Sequence, residues 1–125
     1  MGTFADDVAN SFLNAFARNT SYVNAAVWVK LHLDDPGAAG LLNEAAETTR
    51  QQATFGSDAS GRTISNTAAL EWLNVSDTET YTHISLWTAS SGGTFLGRDE
   101  LSAPADVTAA DTFRILTGEL ELSFT

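Results

Sequence analysis

None of the 125 residues is a cysteine, and that absence removes disulfides, thiolate metal sites and cysteine nucleophiles together. It is compatible with folding in a reducing cytoplasm. Basic residues are scarce too: six Lys and Arg stand against sixteen Asp and Glu, a net charge of -10. The six are scattered singly, so the clustered cations that phosphates require are missing and no nucleic-acid partner is expected. No apolar run approaches the ~20 residues of a membrane span, and no basic n-region leads into a hydrophobic segment at the N-terminus; neither a membrane partner nor a secretion signal is expected. Repeats, low-complexity tracts and linkers are also missing.

What remains is an ordinary globular composition, 43% hydrophobic, of a length that suits one domain. Residues 3–18 predict an amphipathic helix. Thr3 is a candidate N-cap, Asp6 and Asp7 favour the positive end of the helix dipole, and Asn19 can stop the helix after Arg18. Phe4, Val8, Phe12 and Phe16 recur every four residues, widened by Ala9 and Leu13. Such a stripe packs either on its own domain or on a neighbouring subunit, and both readings stay open here.

From Asn24 the period changes to two. Ala25, Val27, Val29, Leu31 and Leu33 alternate with Asn24, Ala26, Trp28, Lys30 and His32, and Asp34-Asp35-Pro36-Gly37 ends the run. A short helix is expected over 38–47, a strand over 50–55, a turn over 56–61 and a longer strand over 62–75. Tyr81 to Ala89 alternates, Ser90-Ser91-Gly92-Gly93 signals a hairpin, and Thr94 to Leu101 returns. Residues 107–116 and 120–124 are expected to form a last hairpin around Thr117-Gly118-Glu119, with Leu120, Leu122 and Phe124 inward. The fold class is therefore mainly β: an antiparallel β-sandwich or jelly-roll-like barrel of about seven strands, spanning 21–125, with an N-terminal helical appendage at 1–20.

Catalytic patterns are missing. His32 and His83 sit on strands with no His-x-x-x-His, Gly-x-Ser-x-Gly or phosphate-cradling glycine loop around them. The acidic pairs Asp6/Asp7, Asp34/Asp35, Asp77/Glu79 and Asp99/Glu100 lack the spacing of a calcium loop. No enzyme activity, cofactor or metal is expected, although spacing alone does not exclude a carboxylate pair acting on glycans. Among the tryptophans, Trp72 is assigned to the core. Trp28 and Trp87 fall on the less apolar faces of their strands and are candidate interface residues, unless a covering segment makes them core. With Phe4, Val8, Phe12 and Phe16 they form the expected interface set.

The order of motifs adds a resemblance. Val29-Lys30-Leu31-His32 leads into Asp35-Pro36-Gly37, and Arg50-Gln51 and Phe55 into Ile64-Ser65-Asn66-Thr67-Ala68-Ala69-Leu70. Then come Thr82-His83-Ile84-Ser85-Leu86-Trp87, Gly93-Thr94-Phe95-Leu96-Gly97, Ala110-Asp111-Thr112-Phe113 and Gly118-Glu119-Leu120. Over nearly its whole length the chain resembles a family of small virion proteins from tailed bacteriophages, chiefly those infecting actinobacteria, labelled tail-fibre, minor tail or capsid accessory proteins. It departs from that pattern at Leu33-Asp34, where a small polar residue often precedes the Asp. The resemblance implies a virion structural role without catalytic residues.

With no shaft repeats or coiled coil, the first expectation is a decoration protein on the capsid shell. It would bind the major capsid protein or other virion proteins as a homo-oligomer such as a trimer, assembled in the host cytoplasm. The alternative is a minor tail or tail-fibre-associated protein in host attachment.

Overall fold

The computed structural model describes residues 3–123. Among them are nine strands and one helix: β1 (Thr3–Phe4), α1 (Asp6–Ala17), β2 (Val27–His32), β3 (Gln51–Ala53), β4 (Thr63–Ser65), β5 (Leu70–Trp72), β6 (Glu79–Trp87), β7 (Phe95–Val107), β8 (Phe113–Ile115) and β9 (Glu121–Ser123). The fold is mainly β and antiparallel. Its sheets do not close into a barrel, so of the two anticipated forms the sandwich-like one is found.

One layer is a five-stranded sheet in the order β1-β7-β6-β2-β3. Alternation along β2 and β6 aligns across the ladder: Val29 lies opposite Leu86 and Leu31 opposite Ile84. All four are buried, and with Leu96 of β7 they give this layer one continuous apolar face. Against it pack Val8 of α1, Leu70 and Trp72 of β5, Ile115 of β8 and Leu120. Trp72 is core, as expected, its indole N–H donating to the Thr49 carbonyl at 2.8 Å.

The opposing layer departs from expectation. Residues 62–75 are not one strand, and 107–116 and 120–123 do not pair with each other as a hairpin. Instead β4 pairs with β9 and β5 with β8, the second register one residue out of step with the first (Ser65 opposite Glu121, Leu70 opposite Ile115). The result is a single antiparallel ribbon broken in the middle. Asn66, only 2% exposed, causes the break. Its amide donates to the carbonyls of Ala68 and Leu116 at 2.8 and 3.2 Å. Its side-chain oxygen accepts the N–H groups of Gly118 and Leu120, both at 3.0 Å. One side chain thus replaces a rung of the ladder and holds a four-way junction. The inward placing of Leu120 agrees with the sequence; Phe124 lies outside the described residues.

The helix also starts later than expected. Its N-cap is Ala5, without a side-chain cap bond, because Thr3 and Phe4 are drawn into the sheet opposite Arg98 and Gly97. The Ala5 N–H donates to the Leu96 carbonyl at 2.9 Å, so β7 rather than a cap residue fixes where α1 begins. At the other end Asn19 takes φ 55, the left-handed stop.

The short helix expected over 38–47 is absent. Residues 33–47 form a strap of turns that doubles back along β2: the Leu33 N–H donates to the Asn43 carbonyl at 2.8 Å and the Ala45 N–H to Leu31 at 3.2 Å. Left-handed φ angles at Gly37, Gly40 and Asn43 forbid a continuous helix there. Gly40 is pressed on Phe95 so closely that a Cβ would lie 2.5 Å from the ring.

Candidate interface

The strap decides the fate of the outer sheet face. Trp28 lies opposite Trp87, Lys30 opposite Ser85 and His32 opposite His83, which is the less apolar side read from the sequence. That side is covered. His32 and Ser85 are wholly buried, Lys30 is nearly so, and Trp87 is only 7% exposed. Trp87 is therefore not the exposed platform its alternation suggested, and Trp28 is half-buried. Over His32 and Lys30 the covering segment is the strap, whose polar backbone needs partners that the strand's polar residues supply, and against Trp87 lie Arg50 and Phe95.

His32 Nδ1 lies 2.8 Å from the Leu42 carbonyl and must carry the proton there. Nε2 is then an acceptor for the Ser85 hydroxyl at 2.7 Å, and Ser85 Oγ in turn accepts the Trp87 indole N–H at 2.7 Å. Every polar atom of the chain His32–Ser85–Trp87 has a partner. Burial holds the His32 pKa below its ordinary 6.5, which keeps the ring neutral, as this arrangement needs.

Charged pairs close the edges. Lys30 Nζ meets Glu44 at 3.0 Å and Arg98 meets Asp35 at 3.0 Å. The Asp35 carboxyl, accepting the Gly37 N–H and facing Arg98, is held below the usual carboxylate range. Arg50 stacks 4.4 Å from the Trp87 ring and donates to the carbonyls of Ala89 and Gly92, pinning the β6–β7 turn. The buried Tyr81 hydroxyl has no hydrogen-bond partner; burial, with Glu79, Glu47 and Asp77 nearby, pushes its pKa up to about 12. No group of three or more His, Asp or Glu suited to a metal occurs among the described residues. Nor is any helix there long and apolar enough to cross a membrane.

The α1 side is the opposite case. Val8 is buried and Phe12 half-buried, its ring edge-on to Phe4 at 5.2 Å and to Tyr22 at 4.8 Å. Next along the helix Leu13 is 65% exposed, and one turn past Phe12 Phe16 is 90% exposed, with Val23 beyond them at 86%. The four-residue spacing thus splits. Phe4, Val8 and Phe12 serve the domain's own fold, and Phe16 lies uncovered.

Beside Phe12 the two layers part to leave a cleft of about 300 Å³. Its walls are Phe4, Val8, Phe12 and Tyr22 on one side and Phe55, Ile64 and Leu122 on the other, with Leu86 and Leu96 also lining it; Arg62 stands at its edge. This cleft was not legible in the sequence, because it joins side chains from six separate segments. Of the interface set, the structure groups Phe4, Val8 and Phe12 around the cleft and leaves Phe16 one turn further along α1; Trp28 and Trp87 lie opposite each other on the sheet face that also carries Lys30 and His32.

No curated protein matches the chain. A family model described as podophage GP4 fiber I protein gp80 matches residues 3–123. The match takes in both layers, α1 and the strap, and so the chain belongs to this phage fibre protein family and is a structural component of a virion.

Proposed function

We propose that the protein is a fibre-associated component of the phage tail, contributing to host attachment by joining structural proteins through its α1 face. The observation that carries this reading is the fibre-family match over residues 3–123. The uncovered Phe16 and Leu13 support it, since an apolar pair left in water on an otherwise acidic surface marks a place for a protein neighbour. The partners in this reading are other virion proteins and further copies of the chain, with assembly in the host cytoplasm. In this reading the phage infects actinobacteria, as do most phages whose proteins the motif order resembles.

The protein acts here without catalysis, cofactor, nucleic acid or membrane. Ser85 and His32 are within hydrogen-bond reach like a nucleophile and its base, yet both are wholly buried and Ser85 Oγ is already occupied by Trp87. A second reading, a decoration protein on the capsid shell, draws on the two-layer body with no shaft among the described residues. Immunogold labelling of intact virions separates them. Gold at the tail supports the fibre reading; gold spread over the head in many copies overturns it in favour of the capsid.

A further inference from the structure

The strap, residues 33–47, has four acidic residues and no basic one. Between its acidic ends the run Pro36-Gly37-Ala38-Ala39-Gly40-Leu41-Leu42 has no polar side chain. Burial of apolar surface drives folding, so a loop of this composition would ordinarily tuck its leucines inward. Here Pro36 and Gly40 are buried, while Leu41 and Leu42 are 62% and 61% exposed, with Ala38 and Ala39 exposed beside them. The backbone that displays them is tied down. The Leu42 N–H donates to the Pro36 carbonyl at 3.0 Å, the Gly40 N–H to the Gly37 carbonyl at 3.2 Å, and the Asn43 amide to the Asp35 carbonyl at 2.9 Å. The Leu42 side chain lies across Gly37, where a Cβ would come within 2.9 Å of it. Such a loop has little conformational freedom left to lose on binding, so its leucines are pre-organised for contact.

The charges around this apolar centre have one sign. Asp34, Asp35 and Glu44 are exposed at its two ends. The cations beneath, Arg98 and Lys30, are taken up by Asp35 and Glu44 in pairs 3.0 Å long, and Lys30 is only 8% exposed. An apolar centre within a charged rim is the anatomy of a protein interface. The apolar part, on the order of 300 Å², is of a size at which a surface patch is often functional. Centre and rim together suit a standard contact of about 800 Å² per partner. Against a second copy the acidic rims would meet like for like, with a net charge of -10 on each chain. The complement is a basic rim.

We propose that the strap is a docking surface for another virion protein, one that presents an apolar recess bordered by Lys or Arg to Leu41 and Leu42. This surface is separate from the α1 face. α1 packs through Val8 on the inner face of the five-stranded sheet, and the strap lies over the outer one. A chain with both surfaces engaged bridges two neighbours in the particle. The proposal goes beyond the fibre reading and does not depend on where in the virion the chain sits.

Photo-crosslinking in intact virions tests this. A benzophenone-bearing amino acid replaces Leu41, the particles are irradiated, and the joined peptides are identified by mass spectrometry. The expected adduct is with a different virion protein, at a segment carrying Lys or Arg beside apolar residues. Leu41→Asp is expected to lower incorporation into particles roughly tenfold with unchanged melting, and Leu41→Met to keep it near the wild-type level. Asp34→Lys, which reverses a charge of the rim, is expected to lower it too. Leu41 and Asp34 are both exposed, so neither change loads the core.

An adduct with a second copy of the chain overturns the proposal in favour of self-association. An adduct in a segment without basic residues, particles that yield no adduct, or normal incorporation of Leu41→Asp overturns it as well. Gold on the head refutes the fibre reading and leaves the docking surface standing, whereas a tail-labelled particle without the adduct refutes the docking surface alone.

Discussion

Replacing Asn66 with alanine tests the account of the broken ribbon most directly. Four hydrogen bonds end on this side chain, and they are not equal. The Gly118 N–H keeps a second acceptor in the Asn66 main-chain carbonyl at 3.0 Å. The carbonyls of Ala68 and Leu116 belong to exposed residues, where water can replace the lost amide. The Leu120 N–H is different: it sits in a residue 2% exposed and has no other acceptor. Leaving it unpaired costs about 1–3 kcal/mol, and the remaining bonds bring the expected loss to about 3 kcal/mol.

For a domain of this size that lowers the melting temperature by ~10 °C, readable by calorimetry or urea denaturation. Asn66→Asp sharpens the test. It keeps an acceptor for the two N–H groups but turns an anionic oxygen on two carbonyls, so its folded-state pKa rises above the unfolded value. The penalty is then absent below about pH 4 and grows as pH rises past it. An alanine variant within ~0.5 kcal/mol of wild type, or an aspartate variant with no pH dependence of its own, would refute the junction argument.

Three further outcomes are expected. Ser85→Ala strands the Trp87 indole N–H and the His32 Nε2 lone pair together, costing about 2 kcal/mol in urea denaturation; a neutral result would show that the chain of bonds contributes nothing. His32 is held below 6.5 in the fold, so the unfolded chain takes the proton first. The His32 contribution is complete above about pH 7 and declines as pH falls through 6.5, and His32→Gln should flatten that part of the stability profile. Gly40→Ala combines a left-handed φ of 74 with a Cβ 2.5 Å from Phe95 and should cost about 3 kcal/mol; trimming Phe95 to alanine in the same chain should relieve only the steric part, which a double-mutant cycle measures.

The sequence disclosed what depends on near neighbours. Period-two alternation located β2 and β6, and the spacing of Val8 and Phe12 located the core side of α1, since each pattern lies within one element. The order of the short motifs led to the phage virion family.

What the sequence hid depends on contacts between distant segments. Alternation places Trp87 on the polar side of β6 correctly but cannot reveal that Arg50 and Phe95 pack on it, nor that residues 33–47 cover Lys30 and His32 beside it. The Ala- and Leu-rich run at 38–47 has helical propensity, which the glycine turns and pairing along β2 override. Asn66 looks like any turn residue until Leu116, Gly118 and Leu120 arrive around it. Of the candidate interface, Phe16 was visible as part of a stripe; the cleft beside it was not.

The way the two layers are stitched has a kinetic consequence. β1 finds its partner only in β7, and β4 only in β9, so the first and middle thirds of the chain wait for the last. Beyond α1 and the β6–β7 hairpin, little can form from local contacts, and a chain still short of Ser123 on the ribosome cannot complete the ribbon. Folding through such distant pairings is slow for the chain's size, in the millisecond-to-second range rather than microseconds. During that interval the edges of β2 and β6 are open to strand pairing with other chains, and the dense negative charge of the sequence, unhelpful to any anionic partner, keeps unfinished copies apart until each has closed on itself.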